Sequence, residues 1–226
     1  MWNTVFYQPM HTALVFFISA LGGDVGLAII VLTILVRLVL FPLSKKSILS
    51  QHRMKELEPE LKQIKEKYKN DKQEYARRTM EIYRANKVNP FSSILLILIQ
   101  LPIIIVLYQV FLRLPLEPAP MLLGLVDLSD KSLFLAVLVG ISQFFQTKLM
   151  TQPSAPSDPN SFGGQLSRSF QLQMKYFLPF FLAFIAYKFS AAVALYLLVS
   201  NMFTIGQELY LKRKNPNEPG KDKKLN

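Results

Sequence analysis

One arginine stands inside a long apolar stretch of this chain, "GLAIIVLTILVRLVLFPLSKK" (26–46), with no acidic residue beside it. An arginine at the middle of a bilayer costs about 2.5–3.5 kcal/mol on insertion scales, so Arg37 needs a polar environment. Thr33 precedes it by four residues and therefore shares its helix face. A guanidinium in such a place offers a counter-charge to acidic or polar groups that enter a low-dielectric region.

The sequence leaves two interpretations of Arg37 open. Its side chain reaches the nearer headgroups by snorkelling, or polar residues of other apolar segments converge on it and form a wet cavity. Those polar residues are Gln100, Gln109, Gln143, Gln146, Ser200, Asn201 and Gln207. Ordinary hydrogen bonds between helices, worth about 0.6 kcal/mol each, explain some of them without any cavity.

The composition indicates the class of protein that must position these residues. Of 226 residues, 51% are hydrophobic, yet the formal net charge is +11. Apolar and basic residues must therefore be segregated, which favours a membrane protein with basic loops over a soluble or nucleic-acid-binding protein. Because the chain contains no cysteine, disulfides, thiolate metal sites and cysteine nucleophiles are excluded.

The apolar segments predict an all-α, polytopic membrane protein with five transmembrane helices. A helix needs about 20 apolar residues to cross the hydrocarbon layer, and the fourth segment is short for this. Residues 1–23 are expected to form an extracytoplasmic tail with an interfacial helix, since they lack the basic n-region of a signal peptide. The predicted spans are about 25–43, 91–112, 133–149, 174–187 and 191–211.

The basic residues predict the orientation. Residues 45–87 contain 13 Lys and Arg, residues 148–175 contain 3, and the tail after Leu211 contains 6. By the positive-inside rule these segments face the cytoplasm, which places the N-terminus outside and the C-terminus inside. A bacterial plasma membrane is the expected location, with 212–226 as a basic cytoplasmic tail.

The basic segment 45–88 has a helical periodicity of its own and predicts a cytoplasmic helical hairpin. The turn is expected at Asn70-Asp71, and Pro59 fits the first turn of a helix. This hairpin either merely links two spans or is a basic arm for a ribosome, an anionic lipid surface or an incoming chain. Its apolar stripes are predicted at Met54, Leu57, Leu61, Ile64 and Tyr68, and at Ala76, Met80, Tyr83 and Lys87.

Residue types that carry out catalysis are scarce. The chain has two histidines, His11 and His52, and neither belongs to a metal-binding or nucleophilic motif. The acidic residues Asp24, Asp127 and Glu208 lie at the edges of the predicted spans, which disfavours a proton relay. We therefore expect no enzyme activity, no metal and no cofactor.

Four stretches together resemble a known family: "GLAIIVLTILVRLVLFPLSKKSILSQHRMKELEPELKQIKEKY", "VNPFSSILLILIQLPIIIVLY", "GISQFFQTKLM" and "ALYLLVSNMFTIGQ". In this order they resemble the five-helix core of the YidC/Oxa-type membrane protein insertases, from Asp24 to Leu211. The large extracytoplasmic domain of many members has no counterpart, so the short bacterial form is expected. The sequence departs from the family pattern at Asp24-Val25-Gly26, around Ser190 to Ala192, and at Leu197, where a Trp is common.

The resemblance implies a membrane protein insertase and chaperone with a hydrophilic groove. That groove is closed to the outside, open to the cytoplasm and to lipid, and carries one positive charge, Arg37. The expected partners are nascent membrane proteins, the ribosome, the Sec translocon and lipids, with no other nucleic acid. The resemblance matches Thr33 and, within one position, Gln146 to the groove, and the predicted substrate-binding residues are Arg37, Thr33, Gln100, Gln143, Gln146 and Asn201.

Two other functions fit the same residues. A small anion channel or transporter would line its path with Arg37 and would be open on both sides. A purely structural membrane scaffold would tolerate neutralisation of Arg37.

Overall fold

Helices account for nearly all regular structure in the computed structural model, which describes residues 3–89, 103–106, 108–110, 120–149 and 178–214. This agrees with the expected all-α class, apart from one two-stranded hairpin. A π-helical turn at Asn3–Tyr7 leads into the first helix. The elements are α1 (Gln8–Ala20), α2 (Val25–Val39), α3 (Phe41–Glu56), α4 (Glu58–Lys67), α5 (Lys72–Ala85), β1 (Met121–Leu122), β2 (Val126–Asp127), α6 (Leu133–Leu149), α7 (Leu178–Lys188) and α8 (Ala191–Lys214).

Helix α8 is the centre of the bundle, and it packs against α2, α6 and α7. Within the described ranges it is also the one single helix that is long and apolar enough to cross a bilayer. The bent pair α2 and α3 is a second candidate if it is taken as one span, and α6 is a shorter apolar helix. Residues 103–106 and 108–110 are helical, with Val106 and Val110 buried in the same core.

The β1–β2 hairpin joins the starts of α2 and α8. Leu123 N donates a hydrogen bond to Asp24 Oδ2 at 2.6 Å, and Ala191 N donates to Asp130 O at 2.7 Å. Helix α6 begins shortly after the same hairpin. The helices α2, α6 and α8 therefore start at one end of the bundle and run parallel.

Asp24 and Gly26 fit the start of α2 to this hairpin. The other carboxylate oxygen of Asp24 accepts a hydrogen bond from Leu27 N at 2.8 Å, which satisfies one of the free N–H groups of the first helical turn. A Cβ atom on Gly26 would lie 2.5 Å from Leu122 Cβ. Glycine is therefore required for the close approach of the hairpin to α2.

The end of the bundle at the hairpin is apolar, and we call it the apolar end. All residues of α8 from Ala191 to Leu197 are buried there, which indicates that the helix is packed on every side. Leu14 of α1, Ile29 of α2 and Leu128 next to the hairpin are almost fully buried in the same core.

The first predicted span, 25–43, is wrong at its end. Helix α2 stops at Val39, and α3 begins at Phe41 with a bend of 63° between the two. Pro42 explains the break, because its missing N–H and its ring are tolerated in the first turn of α3 but not inside a continuous helix.

The other predicted segments compare with the helices as follows. Helix α6 has the bounds predicted for the third segment, and α8 continues to Lys214, beyond the end predicted for the fifth. The fourth segment is described only from Leu178, where α7 extends to Lys188. Most of the second segment lies outside the described residues.

Residues 45–88 contain the expected helical hairpin, formed by α4 and α5. Pro59 lies in the first turn of α4, as predicted. Asp71 caps α5, since its Oδ1 accepts hydrogen bonds from Gln73 N at 3.1 Å and Glu74 N at 3.0 Å. The apolar cluster between the helices consists of Met54, Leu57, Leu61, Ile64, Ile82, Tyr83 and Val88.

The predicted stripe on α5 is wrong except at Tyr83. Ala76 and Lys87 are exposed and Met80 is 40% exposed, whereas Ile82 is buried. Two possible stripes, offset by one residue, occur on this helix. The helix is oriented so that the stripe containing Ile82 faces α4. Burial accordingly raises the pKa of the Tyr83 phenol.

Candidate functional site

A set of buried polar side chains lies beyond the apolar end of the parallel helices, and we call it the polar layer. Thr33 stands eight residues after the start of α2, and Ser142 and Ser200 stand nine residues after the starts of α6 and α8. At 1.5 Å per residue these positions are about 12–14 Å from the apolar end. The polar layer consists of Thr33, Ser142, Gln143, Thr147, Ser200 and Asn201.

Asn201 joins α8 to α6 within this layer. Its Nδ2 donates a hydrogen bond to Ser142 Oγ at 3.0 Å, and Ser142 Oγ donates to Val139 O at 2.9 Å. Both side chains are buried, so this chain of hydrogen bonds satisfies groups that would otherwise be costly away from water. The neighbouring Ser200 Oγ is buried without a hydrogen-bond partner in the part of the chain that the structure describes.

Thr33 and Arg37 contribute from α2. The Thr33 hydroxyl is buried and donates to Ile29 O of its own helix at 2.6 Å. Arg37, one turn later, is half-buried, and Tyr196 of α8 lies close enough to interact with its charge. The charge of α2 thus interacts electrostatically with a buried residue of the central helix.

The two predicted glutamines of α6 lie on the same half of the bundle. Gln143 is buried, and its backbone oxygen accepts a hydrogen bond from Thr147 Oγ1 at 2.8 Å. Gln146 is half-buried. Gln100 lies outside the described residues. Five of the six predicted site residues are therefore described, and all five lie 8–13 residues after the starts of their helices, about 12–20 Å along the helix axes.

Sequence reasoning missed Ser142 and Thr147 of the polar layer, and it missed Tyr196 of the apolar end, which interacts with the charge of Arg37. Ser142 precedes Gln143 directly, and Thr147 follows it by one helical turn. Tyr196 stands beside Leu197, which had drawn attention only as a departure from the family. Polarity combined with the helical spacing would have identified the two hydroxyl residues of α6.

A second polar cluster joins α8 to α3 further from the apolar end. Gln207 Nε2 donates to Ser44 Oγ at 2.7 Å, and Glu208 Oε1 lies 2.6 Å from His52 Nε2. Lys212 Nζ lies 3.4 Å from the same Glu208 oxygen. Among the described residues no group of three or more His, Cys, Asp or Glu has the arrangement of a metal site.

Comparison with known proteins decides the family. The family model described as "60Kd inner membrane protein" matches residues 16–218. The chain belongs to this family. The match confirms the resemblance drawn from the four sequence stretches, and it covers all the residues described above in α2, α6 and α8.

Individual relatives agree with this assignment. The proteins named "Membrane protein insertase YidC" of Francisella tularensis subsp. novicida (strain U112) and subsp. tularensis (strain WY96-3418) are each 39% identical to the chain over 199 residues. These matches cover 87% of this chain but 34% of each relative. The chain therefore spans about a third of the length of the curated relatives that it matches.

Proposed function

We propose that this 60Kd inner membrane protein family member inserts nascent membrane proteins into the bilayer through a groove in its cytoplasmic half. One observation carries the proposal: buried polar residues and the half-buried Arg37 occupy one half of a bundle whose other half is apolar and closely packed. The printed name of its relatives, membrane protein insertase, supports the same function.

This one-sided polarity suits an insertase for a physical reason. A nascent single-span protein must move a short polar tail across a layer in which each charge is expensive. A hydrated groove that reaches partway across shortens the dry path, and Arg37 attracts acidic groups of the tail. The apolar end, joined to the β1–β2 hairpin, then separates the groove from the outside.

The groove is proposed to contain Arg37, Thr33, Gln100, Gln143, Gln146 and Asn201. Once the tail has entered, the apolar segment of the substrate moves sideways into lipid, because its transfer to hydrocarbon is favourable. This step needs no nucleotide and no metal. The polar side chains act as solvent for the tail, and no covalent bond is made or broken.

We propose the predicted orientation, with five spans, the N-terminus outside and the C-terminus in the cytoplasm. Two features support it: α2, α6 and α8 run parallel, and the basic α4–α5 hairpin follows the polar half of α2 through α3. This hairpin would face the ribosome, the Sec translocon or the incoming chain, and the inner leaflet.

The proposal is tested by charge removal at Arg37. In proteoliposomes, Arg37→Ala should lower the insertion of a substrate with an acidic tail about tenfold, and Arg37→Lys should retain much of it, because one lost charge contact of about 1.4 kcal/mol is a factor of ten. A substrate with a neutral tail should be less affected. Lys131→Ala, which removes an exposed positive charge beyond the apolar end, is the matched control.

Two outcomes would contradict the proposal. Insertion of the acidic-tailed substrate by Arg37→Ala at the wild-type rate would remove the role of the counter-charge. Substantial anion flux through empty proteoliposomes, lost in Arg37→Ala, would instead favour the channel interpretation.

A further inference from the structure

Glu208 is an unusual residue for its place in the bundle. Its side chain is 2% exposed, although it is an acid on the central helix. It is held by His52 of α3 at 2.6 Å and by Lys212 of its own helix at 3.4 Å. Lys212 Nζ also donates to the last carbonyl of α6, at Leu149, at 2.6 Å. One buried carboxylate thus lies where α3, α6 and α8 meet.

The preceding residue makes a second connection to the same helix. Gln207 is buried, and it exchanges hydrogen bonds with Ser44 Oγ at 2.7 and 3.1 Å. Ser44 lies in the first turn of α3, and His52 lies two turns later. Two adjacent residues of α8 therefore hold α3 at two points along its length, which fixes the direction of α3 as well as its position.

The direction of α3 determines where the cytoplasmic hairpin lies. Only Leu57 separates the end of α3 from the start of α4. Met54 of α3 and the linking residue Leu57 also belong to the apolar cluster of the hairpin. A change in the angle of α3 would therefore move α4 and α5 with it.

Polar contacts of this kind are better explained as fixing the orientation of α3 on α8 than as increasing the stability of the protein. Burying a charge costs several kcal/mol, and well-packed apolar residues usually stabilise such a position as well as an ion pair does. An ion pair does, however, disfavour every arrangement in which one partner is left buried and alone. The contacts thus select one geometry of α3 on α8.

We propose that His52 and Glu208, together with Ser44 and Gln207, form a clamp that holds the cytoplasmic hairpin in position over the entrance of the groove. His52 and Glu208 are positioning residues, since they act on the substrate only through the hairpin. The role in insertion rests on the proposed function, whereas the effect of the clamp on the geometry does not.

The geometry is tested by a distance measurement. Spin labels are attached to two introduced cysteines, Glu66→Cys in α4 and Arg213→Cys in α8, and the distance between them is measured. Because the chain has no cysteine of its own, no other position is labelled. Both positions are exposed. The clamp predicts a narrow distance distribution in the otherwise unchanged protein and a broad or shifted one in His52→Ala and in Glu208→Gln. His52→Lys, which places a hydrogen-bond donor opposite Glu208, should restore the narrow distribution.

Insertion is measured on the same variants without labels. His52→Ala should lower the insertion rate severalfold, and His52→Lys should recover it. Glu81→Gln removes an exposed carboxylate of α5 whose partners are Arg77 and Arg78, so it is the matched control and should change neither readout. Arg37→Ala should lower insertion while the distance distribution stays narrow.

Each result decides one claim. An unchanged distance distribution in both His52→Ala and Glu208→Gln overturns the clamp, whatever happens to insertion. A broadened distribution with wild-type insertion overturns the role of the clamp in insertion. If the wild-type protein inserts no substrate at all, the proposed function fails, and the distances still show whether the clamp exists.

Discussion

Asn201 and Thr204 illustrate two ways in which a polar side chain is accommodated on an apolar helix. Asn201 donates across the bundle to Ser142 of α6, whereas Thr204 Oγ1 donates to Ser200 O of its own helix at 2.9 Å. The first bond holds two helices together. The second exists whenever α8 is helical, so it adds nothing to the contact between helices.

Substitution of the two residues should therefore have different effects on stability. We expect Asn201→Leu to lower the free energy of unfolding by about 0.6–1.7 kcal/mol, between the mean and the maximum measured for hydrogen bonds between membrane helices. Thr204→Val, the matched control, should change it by much less. The midpoint of thermal unfolding of the detergent-solubilised protein measures both. Equal losses in the two variants would show that the bond to Ser142 does not stabilise the bundle.

At the scale of elements, the junction of α2 with the β1–β2 hairpin depends on the absence of a side chain. Gly26 allows Leu122 to approach α2 more closely than a Cβ would permit. Gly206, on α8, has no atom within 4 Å of the place where its Cβ would be. The two glycines are therefore expected to respond in opposite ways to the same substitution.

Gly26→Ala should destabilise the protein by about 1–3 kcal/mol, because the backbone of Leu122, 2.7 Å from the added Cβ, must move away. Gly206→Ala should be neutral or stabilising by up to about 1 kcal/mol, since alanine favours a helix more than glycine does. Thermal unfolding of the two variants in parallel measures the difference. A Gly26→Ala protein as stable as Gly206→Ala would mean that the hairpin does not pack tightly on α2.

At the scale of the whole molecule, the proposed orientation places two exposed residues, one lysine and one glutamate, on opposite sides of the membrane. Lys131 follows the β1–β2 hairpin at the apolar end, and Glu66 lies in α4 of the α4–α5 hairpin. Because the chain has no cysteine, a single introduced cysteine reports one position at a time.

Labelling with a membrane-impermeant maleimide tests this orientation in intact spheroplasts. Lys131→Cys should react before lysis, and Glu66→Cys only after lysis, since a charged reagent does not cross the hydrocarbon layer. The reverse pattern would invert the topology. Reaction of both cysteines before lysis would place the two segments on the same side of the membrane and would also contradict the proposed orientation.

Much of the fold follows from local patterns in the sequence. Long apolar stretches predicted the helices α6 and α8, Pro59 predicted the beginning of α4, and Asn70-Asp71 predicted the turn before α5, because prolines and turn residues act locally. The position of the break near Pro42 was missed. An apolar run continues through it, and hydrophobicity does not reveal whether the axis bends.

The rotation of each helix was less predictable than its location. Helix α5 offers two stripes one residue apart, and only packing against α4 decides in favour of Ile82. The candidate site shows the same limit: Arg37, Thr33 and Asn201 were identified from their polarity, but Ser142 and Tyr196 were not. Neither residue is unusual in type, and each matters because of the neighbour that the bundle brings to it.

The sequence by itself thus determined the helical class and the family and singled out Arg37 within an apolar helix, since these depend on composition and on spacing along a single helix. Only the tertiary structure decided which polar residues meet. His52 and Glu208 are 156 positions apart, and no local pattern couples them. Their contact depends on the bend at Pro42 and on the packing of α3 against α8, which are properties of several helices together.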